Sequence, residues 1–211
     1  MDMKPITIVG CGPGAAEHLT PAALTAIRGA RILAGARVLL DRFPDAGEVH
    51  LPVGVDIPGA LDTLAPHVAA GGVVVLVTGD PGVCSLARPV IRRFGASSCR
   101  VLPGISAVQI AFAAVGVDWF GARMLSAHDT APKLPSASLT FEPRVCLLAG
   151  NPANAAWVED LVRTLTPTHD IHLCENLTLP NESVRQLINP TFPMNPASRS
   201  IFIFVRKEAT P

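Results

Sequence analysis

Three short runs rich in glycine and proline follow apolar segments, and they are the parts of this sequence best suited to ligand chemistry. The first reads Ile-Val-Gly-Cys-Gly-Pro-Gly-Ala over residues 8–15, the second Thr-Gly-Asp-Pro-Gly-Val over 78–83, and the third Pro-Gly-Ile-Ser-Ala over 103–107. Glycine lets a backbone turn sharply and approach another molecule closely. The first question is therefore which ligand loops of this kind would bind.

The first run loosely satisfies a dinucleotide-binding pattern, with Gly10, Gly12 and Ala15 at the spacing Gly-x-Gly-x-x-Ala. Pro13 weakens this interpretation, because proline has no backbone N–H to donate to a pyrophosphate. The next helix is predicted to begin only after Thr20, a hydroxyl N-cap followed by proline. The acidic residue that binds ribose, expected about 20 residues on, is missing. A dinucleotide-dependent oxidoreductase is therefore a minor alternative, and alone the run indicates only a tight turn.

Apolar strands and helices alternate in the first half of the chain and must position these three runs. Strands are predicted over residues 6–9, 38–40, 73–77 and 100–102, and helices over 21–30, 60–70, 85–94 and 106–115. This alternation is typical of a parallel sheet covered on both faces, whose ligands lie beyond the carboxyl ends of the strands. Because each run follows a strand, all three are predicted at that one edge of the sheet.

The pattern changes near residue 118, where we place a boundary between domains of residues 1–118 and 119–211. Beyond it, strands are predicted over residues 122–127, 138–141, 145–149, 172–175 and 201–205, and one clear helix over 153–165. Strands outnumber helices there, and prolines are frequent between residues 180 and 196. We therefore predict a two-domain α/β fold whose second domain carries a mixed, partly antiparallel sheet.

Composition argues against several classes of function. The 17 basic and 17 acidic side chains cancel, so no net positive field would attract nucleic acid or an anionic membrane. No apolar run approaches the roughly 20 residues of a membrane-spanning helix, and residues 1–5 lack the apolar stretch of a signal peptide. The five cysteines form no Cys-x-x-Cys pair, which favours reduced thiols in a cytoplasmic protein. Most are predicted to be small core residues, with a catalytic thiol as a minor alternative.

Taken in order, the three runs and the residues beside them resemble the motifs of the tetrapyrrole methylase family. The matching segments are Gly-Cys-Gly-Pro-Gly-Ala, Val-Thr-Gly-Asp-Pro-Gly-Val and Leu-Pro-Gly-Ile-Ser-Ala-Val-Gln. Its members are S-adenosylmethionine (SAM)-dependent methyltransferases of cobalamin and sirohaem synthesis. The resemblance covers nearly the whole chain. The segment Glu-Asn-Leu-Thr-Leu-Pro-Asn-Glu over residues 175–182 is most similar to the branch that methylates carbon 5 of late corrin precursors. The resemblance implies two α/β domains with the active site in the trough between them.

The same resemblance implies a role for each run. The second would hold SAM, with Asp80 near its polar amino-acid or ribose end, and the product would be S-adenosylhomocysteine. The first would form a rim beside a large flat ring. For Asp80 an ordinary turn role is the alternative, and for Leu148 and Ala149 plain core packing. The implied cofactor contacts are Gly79, Asp80, Pro81, Val83, Ser106, Ala107, Leu148 and Ala149, and the implied substrate contacts are Gly10, Gly12, Pro13, Gly14 and Arg123.

His128 lies in the run Ser-Ala-His-Asp-Thr over residues 126–130, where the similar branch has Ser-Leu-His-Gly-Arg. The resemblance implies that His128 assists proton removal after methylation or binds a ring carboxylate, and a structural or exposed histidine is the equal alternative. The missing arginine matters because late corrins carry many carboxylates, which arginine usually binds. Arg123 and Lys133 are candidates to replace it.

The leading hypothesis is an enzyme that methylates carbon 5 of a corrin precursor with SAM. Methyl transfer from a sulfonium is an in-line displacement with a neutral leaving group, so it needs alignment and exclusion of water rather than a metal. Another tetrapyrrole position, a protein residue, or tetrapyrrole binding without catalysis are the alternatives. The expected partners are a corrinoid small molecule, a second copy in a homodimer, and a decarboxylating methyltransferase, separate or fused; no nucleic acid and no membrane are expected. Glu175 and Glu182 are expected to accept hydrogen bonds from loop N–H groups, with a catalytic-base role as the minor alternative.

Overall fold

The computed structural model describes residues 6–194 and 196–208, so residues 1–5, which carry the prediction about a signal peptide, lie outside the described part. The chain forms two compact units, one ending at Ser106 and the other beginning at Ala107. This division lies before the boundary expected near residue 118, because helix α5 (Ala107–Val115) packs against strand β10 (Ser200–Arg206) of the second unit. Within the described residues, every helix is too short or too polar to cross a membrane.

The first unit contains a five-stranded parallel sheet, as the sequence predicts. Its strands are β1 (Ile6–Gly10), β2 (Ile32–Gly35), β3 (Val49–Pro52), β4 (Val73–Val77) and β5 (Cys99–Leu102), in the spatial order β3-β2-β4-β1-β5. Its helices are α1 (Pro21–Arg28), α2 (Arg37–Leu40), α3 (Ile57–Val68) and α4 (Ala87–Phe94). The four strand pairs are parallel in register, so the carboxyl ends of all five strands lie at one edge.

Helices cover both faces of this sheet. Successive side chains of a strand point to opposite faces, so the apolar strands present side chains to both layers of helices. On one face, Val75 packs in a cluster with Leu64 of α3 and Val90 of α4. On the other face, Leu76 packs in a cluster with Ile27 of α1. A strand buried on both faces must be apolar at every position, which is why β4 reads Val-Val-Val-Leu-Val.

The strand expected over residues 38–40 is wrong, because these residues belong to the short helix α2. Three apolar residues do not distinguish a strand from a helix, and Val38 is 54% exposed whereas Leu39 and Leu40 are buried. The strands in this part of the chain are β2, which precedes α2, and β3, which follows it. Within β2, the backbone of Gly35 passes so close to β4 that a Cβ there would lie 2.9 Å from the carbonyl oxygen of Leu76.

The second unit contains a five-stranded mixed sheet, which is also as predicted. Besides β10, its strands are β6 (Arg123–Ser126), β7 (Arg144–Leu148), β8 (His169–Glu175) and β9 (Ser183–Gln186), in the order β6-β7-β10-β8-β9. The pair β6–β7 is parallel, while β10 is antiparallel to both β7 and β8, and β9 is antiparallel to β8. The carboxyl ends of β6 and β7 therefore lie side by side.

Helix α6 (Ala155–Leu165) covers one face of this second sheet, where Leu161 and Leu165 pack with Phe202 and Phe204 in the apolar core. The strand expected over residues 138–141 is wrong. Residues Ser136–Leu139 form a 3-10 turn instead. The hydroxyl of Ser136 in this turn donates a hydrogen bond to Oδ2 of Asp160 on α6 at 2.5 Å, so the segment is tied to the helix rather than to the sheet.

Candidate functional site

The first loop (residues 10–15), the second loop (78–83) and the third loop (103–106) meet at one edge of the first sheet. Strand β1 lies between β4 and β5, so the loops at their carboxyl ends are neighbours. Gly12 and Gly79 join the first two loops through a pair of backbone hydrogen bonds, with N···O distances of 2.8 and 3.3 Å. The fold thus brings together the residues of these loops that the sequence singled out.

Glycine is required where the three loops touch. A Cβ at Gly10 would lie 2.6 Å from the nitrogen of Gly104 and 2.8 Å from the carbonyl oxygen of Gly79. A Cβ at Gly104 would overlap the same oxygen of Gly79. Gly12 and Gly79 also have φ angles of 69° and 67°, in the left-handed region that side chains disfavour. These glycines therefore permit a close contact between loops.

Asp80 ties the second loop to the third. Its Oδ1 accepts a hydrogen bond from the N–H of Gly82 at 2.8 Å, and its Oδ2 accepts one from the N–H of Gly104 at 3.1 Å. A carboxylate has about four acceptor positions, so a bound ligand can still donate to Asp80. Its negative charge at a surface built from backbone suits a ligand that carries positive charge. The turn role and the ligand role weighed for Asp80 are thus compatible.

The first loop lacks the geometry of a pyrophosphate site. It is followed by a 3-10 turn over Ala16–His18, and α1 begins only at Pro21. The hydroxyl of Thr20 accepts a hydrogen bond from the N–H of Ala23 at 3.1 Å, as expected for an N-cap. The N-terminus of a helix, which usually binds such an anion, therefore does not adjoin the glycines. Pro13 is buried.

In the second unit, His128, Leu148 and Ala149 lie together at the carboxyl ends of β6 and β7. The N–H of Ala127 donates to the carbonyl oxygen of Leu148 at 2.8 Å. Ala149 is only 3% exposed and belongs to the apolar core. His128 is exposed. Asn151 and Asn154, which the sequence did not single out, donate hydrogen bonds to backbone carbonyl groups around His128.

Arg123 does not join this group. It is the first residue of β6, whereas His128 follows the end of that strand. At about 3.3 Å per residue, the Cα atoms of Arg123 and Ser126, at the two ends of β6, are separated by roughly 10 Å along the strand direction. Ser106 is 5% exposed and directly precedes α5, and Ala107 is the first residue of that helix.

The two glutamates of the segment over residues 175–182 hold loops, as expected. Oε1 of Glu175 accepts a hydrogen bond from the N–H of Ala197 at 2.8 Å, and its Oε2 lies 3.2 Å from a guanidinium nitrogen of Arg185. Glu182 accepts a hydrogen bond from the N–H of Thr178. Both carboxylates therefore have structural partners.

Three cysteines are buried in the apolar interior, which agrees with their prediction as core residues. Burial raises the pKa of Cys11 to about 11, that of Cys146 to about 12 and that of Cys174 to about 11. These thiols are protonated at neutral pH and are poor nucleophiles. Across residues 6–194 and 196–208, no three His, Cys, Asp or Glu side chains are grouped so that they could hold a metal ion.

Comparison with known proteins adds family information to this geometry. The family model described as Tetrapyrrole (Corrin/Porphyrin) Methylases matches residues 5–187. The cobalt-precorrin-7 C(5)-methyltransferase of Salmonella typhimurium is 38% identical over 123 residues, or 58% of this chain. The match spans 61% of that relative's length, so about two fifths of the relative lie outside it. The probable cobalt-precorrin-7 C(5)-methyltransferase of Methanocaldococcus jannaschii is 26% identical over 186 residues, 85% of this chain and 87% of the relative.

A solved structure supports the fold. The uroporphyrin-III C-methyl transferase of Thermus thermophilus, complexed with S-adenyl homocysteine, superposes with a TM-score of 0.74 over 95% of this chain and 97% of that chain. The two sequences are 21% identical, so the likeness concerns the fold. It confirms the prediction of a two-domain α/β architecture with one parallel and one mixed sheet.

Proposed function

Because the chain belongs to the tetrapyrrole methylase family, we propose that it transfers a methyl group from SAM to carbon 5 of a late corrin precursor in cobalamin biosynthesis. The single observation that carries the proposal is the joining of three glycine loops around Asp80 at the carboxyl edge of a parallel sheet. The choice of carbon 5 is supported by the names of the two curated relatives.

The second loop fits SAM as the methyl donor. SAM supplies an electrophilic methyl group on a positively charged sulfonium, and its amino-acid end also carries an ammonium. Asp80 offers a carboxylate to such a cation, and its two backbone hydrogen bonds hold that carboxylate in place. We assign the cofactor to Gly79, Asp80, Pro81 and Val83 of this loop, together with Ser106, Ala107, Leu148 and Ala149.

The first loop is proposed to face the ring of the substrate. Its glycines carry no side chain, and Cys11 and Pro13 are buried, so a flat molecule can approach the backbone closely. We assign the substrate to Gly10, Gly12, Pro13 and Gly14. Arg123 stays a weaker candidate, because it lies at the far end of β6 from His128.

The chain's contribution to the reaction is alignment. The nucleophilic carbon of the ring, the methyl carbon and the sulfur must lie in line, and water must be kept out. Positioning alone can lower the activation barrier of well-oriented reactants by up to roughly 7–11 kcal/mol. Loops locked by backbone contacts at Gly10, Gly79 and Gly104 are suited to this task, because they cannot shift independently. We assign His128 to the substrate, as a carboxylate partner or as the acceptor of the ring proton.

Calorimetry tests the cofactor. We expect saturable binding of SAM and S-adenosylhomocysteine to the purified chain, and no heat of binding with NAD or FAD. If SAM does not bind, the methyltransferase proposal is refuted. A response to NAD alone would favour the oxidoreductase alternative.

Mass spectrometry tests the substrate. The chain is incubated with SAM and late corrin precursors, with and without cobalt, and the number of added methyl groups is counted. We expect one added methyl group, and an isotope-labelled methyl should be found at carbon 5 by NMR. Methylation at another carbon would keep the cofactor assignment and change the substrate assignment.

A further inference from the structure

We propose that Asn151 and Asn154 are positioning residues that hold the His128 segment, residues 127–129, in the geometry that methyl transfer requires. The inference rests on the proposed function, in which His128 contacts the substrate. Neither asparagine belongs to the three glycine loops or to the residues that the family resemblance assigns. What distinguishes them is a set of contacts to backbone oxygens.

The two side-chain amides bind three consecutive carbonyl groups. Nδ2 of Asn151 donates to the carbonyl oxygens of His128 at 2.9 Å and Asp129 at 3.3 Å. Nδ2 of Asn154 donates to the carbonyl oxygens of Ala127 at 2.7 Å and Asp129 at 3.4 Å. An amide NH₂ has two donor hydrogens, so both asparagines use their full donor capacity on this segment.

These bonds fix three successive peptide planes. Their carbonyl groups all point toward the asparagines. In a trans peptide the N–H points opposite to the carbonyl, so the N–H groups of residues 128–130 point away from them. The N–H of His128 meets the hydroxyl oxygen of Ser126 there, at 3.3 Å. With the planes on both sides of His128 fixed, the direction of its Cα–Cβ bond is fixed as well.

The His128 ring depends on this backbone hold. The side chain is exposed, and its ring makes no hydrogen bond to any residue in the described part of the chain. Its position is therefore set by the backbone and by its own side-chain torsions. A shift in the segment would carry the ring with it, and a displacement of about 1 Å at a reacting group can cost roughly 100-fold in rate.

The asparagines are themselves anchored. Oδ1 of Asn151 accepts a hydrogen bond from the N–H of Ala153 at 3.0 Å. The preceding Gly150 has a φ of 107°, and a Cβ there would overlap the carbonyl oxygen of Ser198 beside β10. Asn154 directly precedes α6, whose inner face lies in the apolar core. Both amides are therefore fixed points from which the segment can be held.

Aspartate substitutions test the proposal, because aspartate has the shape of asparagine but no donor hydrogen at neutral pH. In Asn151→Asp the carboxylate can still accept the hydrogen bond from Ala153, so only the bonds to the segment are lost. Asn154→Asp likewise replaces two donated bonds by repulsion from carbonyl oxygens. Asn181→Asp is the matched control, since Asn181 is exposed and its side chain makes no hydrogen bond to a described residue.

We expect kcat to fall about 10- to 100-fold in Asn151→Asp and Asn154→Asp, with SAM affinity changed less than about twofold. Asn181→Asp should retain the wild-type kcat. Amide hydrogen exchange at residues 127–130 should accelerate in the first two variants and not in the control. Wild-type kcat in both aspartate variants would overturn the inference.

A double-mutant cycle separates positioning from a general structural role. If Asn154 acts through His128, then Asn154→Asp should cause no further loss of kcat when His128 is already alanine. An equal loss in both backgrounds, or full activity of His128→Ala, would overturn the inference. If Asn154→Asp does not fold, the same cycle is carried out with Asn151→Asp. A wild-type chain that binds no SAM would refute the proposed function as well, whereas an active wild type with unaffected variants refutes this inference alone.

Discussion

The glycine loops of the first unit and the His128 segment of the second unit are held by contrasting means. In the first unit, backbone packs directly on backbone, and Gly10 and Gly104 leave no room for a Cβ beside the carbonyl oxygen of Gly79. In the second unit, side-chain amides of Asn151 and Asn154 bind the backbone. The first arrangement fails when an atom is added, and the second fails when a donor is removed.

This contrast shows two ways in which loops can be made rigid. A loop has few backbone partners of its own, so its unpaired groups must be bonded from elsewhere. One solution omits side chains so that neighbouring loops bond each other, and the other supplies side chains that act as donors.

Gly104→Ala should have the largest effect. Its Cβ would overlap the backbone of both Gly79 and Gly10, and overpacking of this kind costs about 1–3 kcal/mol. We expect a loss of that size in the free energy of unfolding, measured with denaturant, and no SAM binding detectable by calorimetry. Gly54→Ala is the control, because nothing lies within 4 Å of a Cβ there. Normal SAM binding by Gly104→Ala would show that the loop contact is not required.

Asp80→Ala should have the next largest effect. It removes the hydrogen bond that joins the second loop to the third and the one within the second loop, and charged hydrogen bonds contribute about 1.5–3 kcal/mol. We expect SAM affinity to fall at least about 10-fold while the chain stays folded at room temperature. Asp45→Ala, which removes an exposed carboxylate elsewhere in the first unit, should bind SAM normally. Unchanged affinity in Asp80→Ala would contradict the role assigned to Asp80.

Thr20→Ala should lower stability without changing binding. Thr20 caps α1, and loss of an N-cap costs about 0.5–2 kcal/mol. Because α1 begins well after the first loop, SAM affinity should equal that of the wild type, as measured by calorimetry. A large loss of affinity would mean that the helix N-terminus belongs to the ligand site.

The smallest expected effect is a dependence of stability on pH that originates in the second unit. Burial lowers the pKa of His169, whose Nε2 donates to the carbonyl oxygen of Glu142 at 2.9 Å. The unfolded chain therefore binds the proton more readily, so this contribution is complete above the ordinary pKa of 6.5 and is lost as the pH falls below it. The denaturant concentration at the unfolding midpoint should therefore decrease as the pH is lowered from about 7 to about 5.

His169→Gln should weaken this pH dependence, and His172, whose pKa is also lowered by burial, should account for part of the remainder. A profile identical in wild type and His169→Gln would contradict the assignment.

Much of the fold is predictable from the sequence because burial leaves a pattern. Strand β4 is predicted to the residue, since five consecutive apolar residues between turns, four of them valine, are typical of a strand buried on both faces. Strand β2 is missed because its run is short and ends in Ala34 and Gly35, where the backbone of Gly35 lies close to β4. Residues 38–40 are misassigned because a three-residue apolar run fits one turn of helix as well as a strand.

The two regions also differ in how visible they are in the sequence. The first unit's loops are visible, because a contact that requires glycine leaves glycine in the sequence. The role of the asparagines in the second unit is not visible in the sequence, because a side-chain amide that donates to a carbonyl group 22 to 27 positions away follows no periodicity. Asn-Pro at residues 151–152 indicates a turn, and the destination of its hydrogen bonds is decided elsewhere in the chain.

The sequence by itself determined the parallel and mixed sheets, the order of the three loops and the late start of α1, because these follow from local burial patterns and from the conformations open to glycine and proline. Only the tertiary structure decided that Asp80 bridges two loops, that α5 packs with the second sheet, and that two asparagines hold the His128 segment. Each of these depends on atoms brought together from distant positions, whose distances and directions no local pattern specifies.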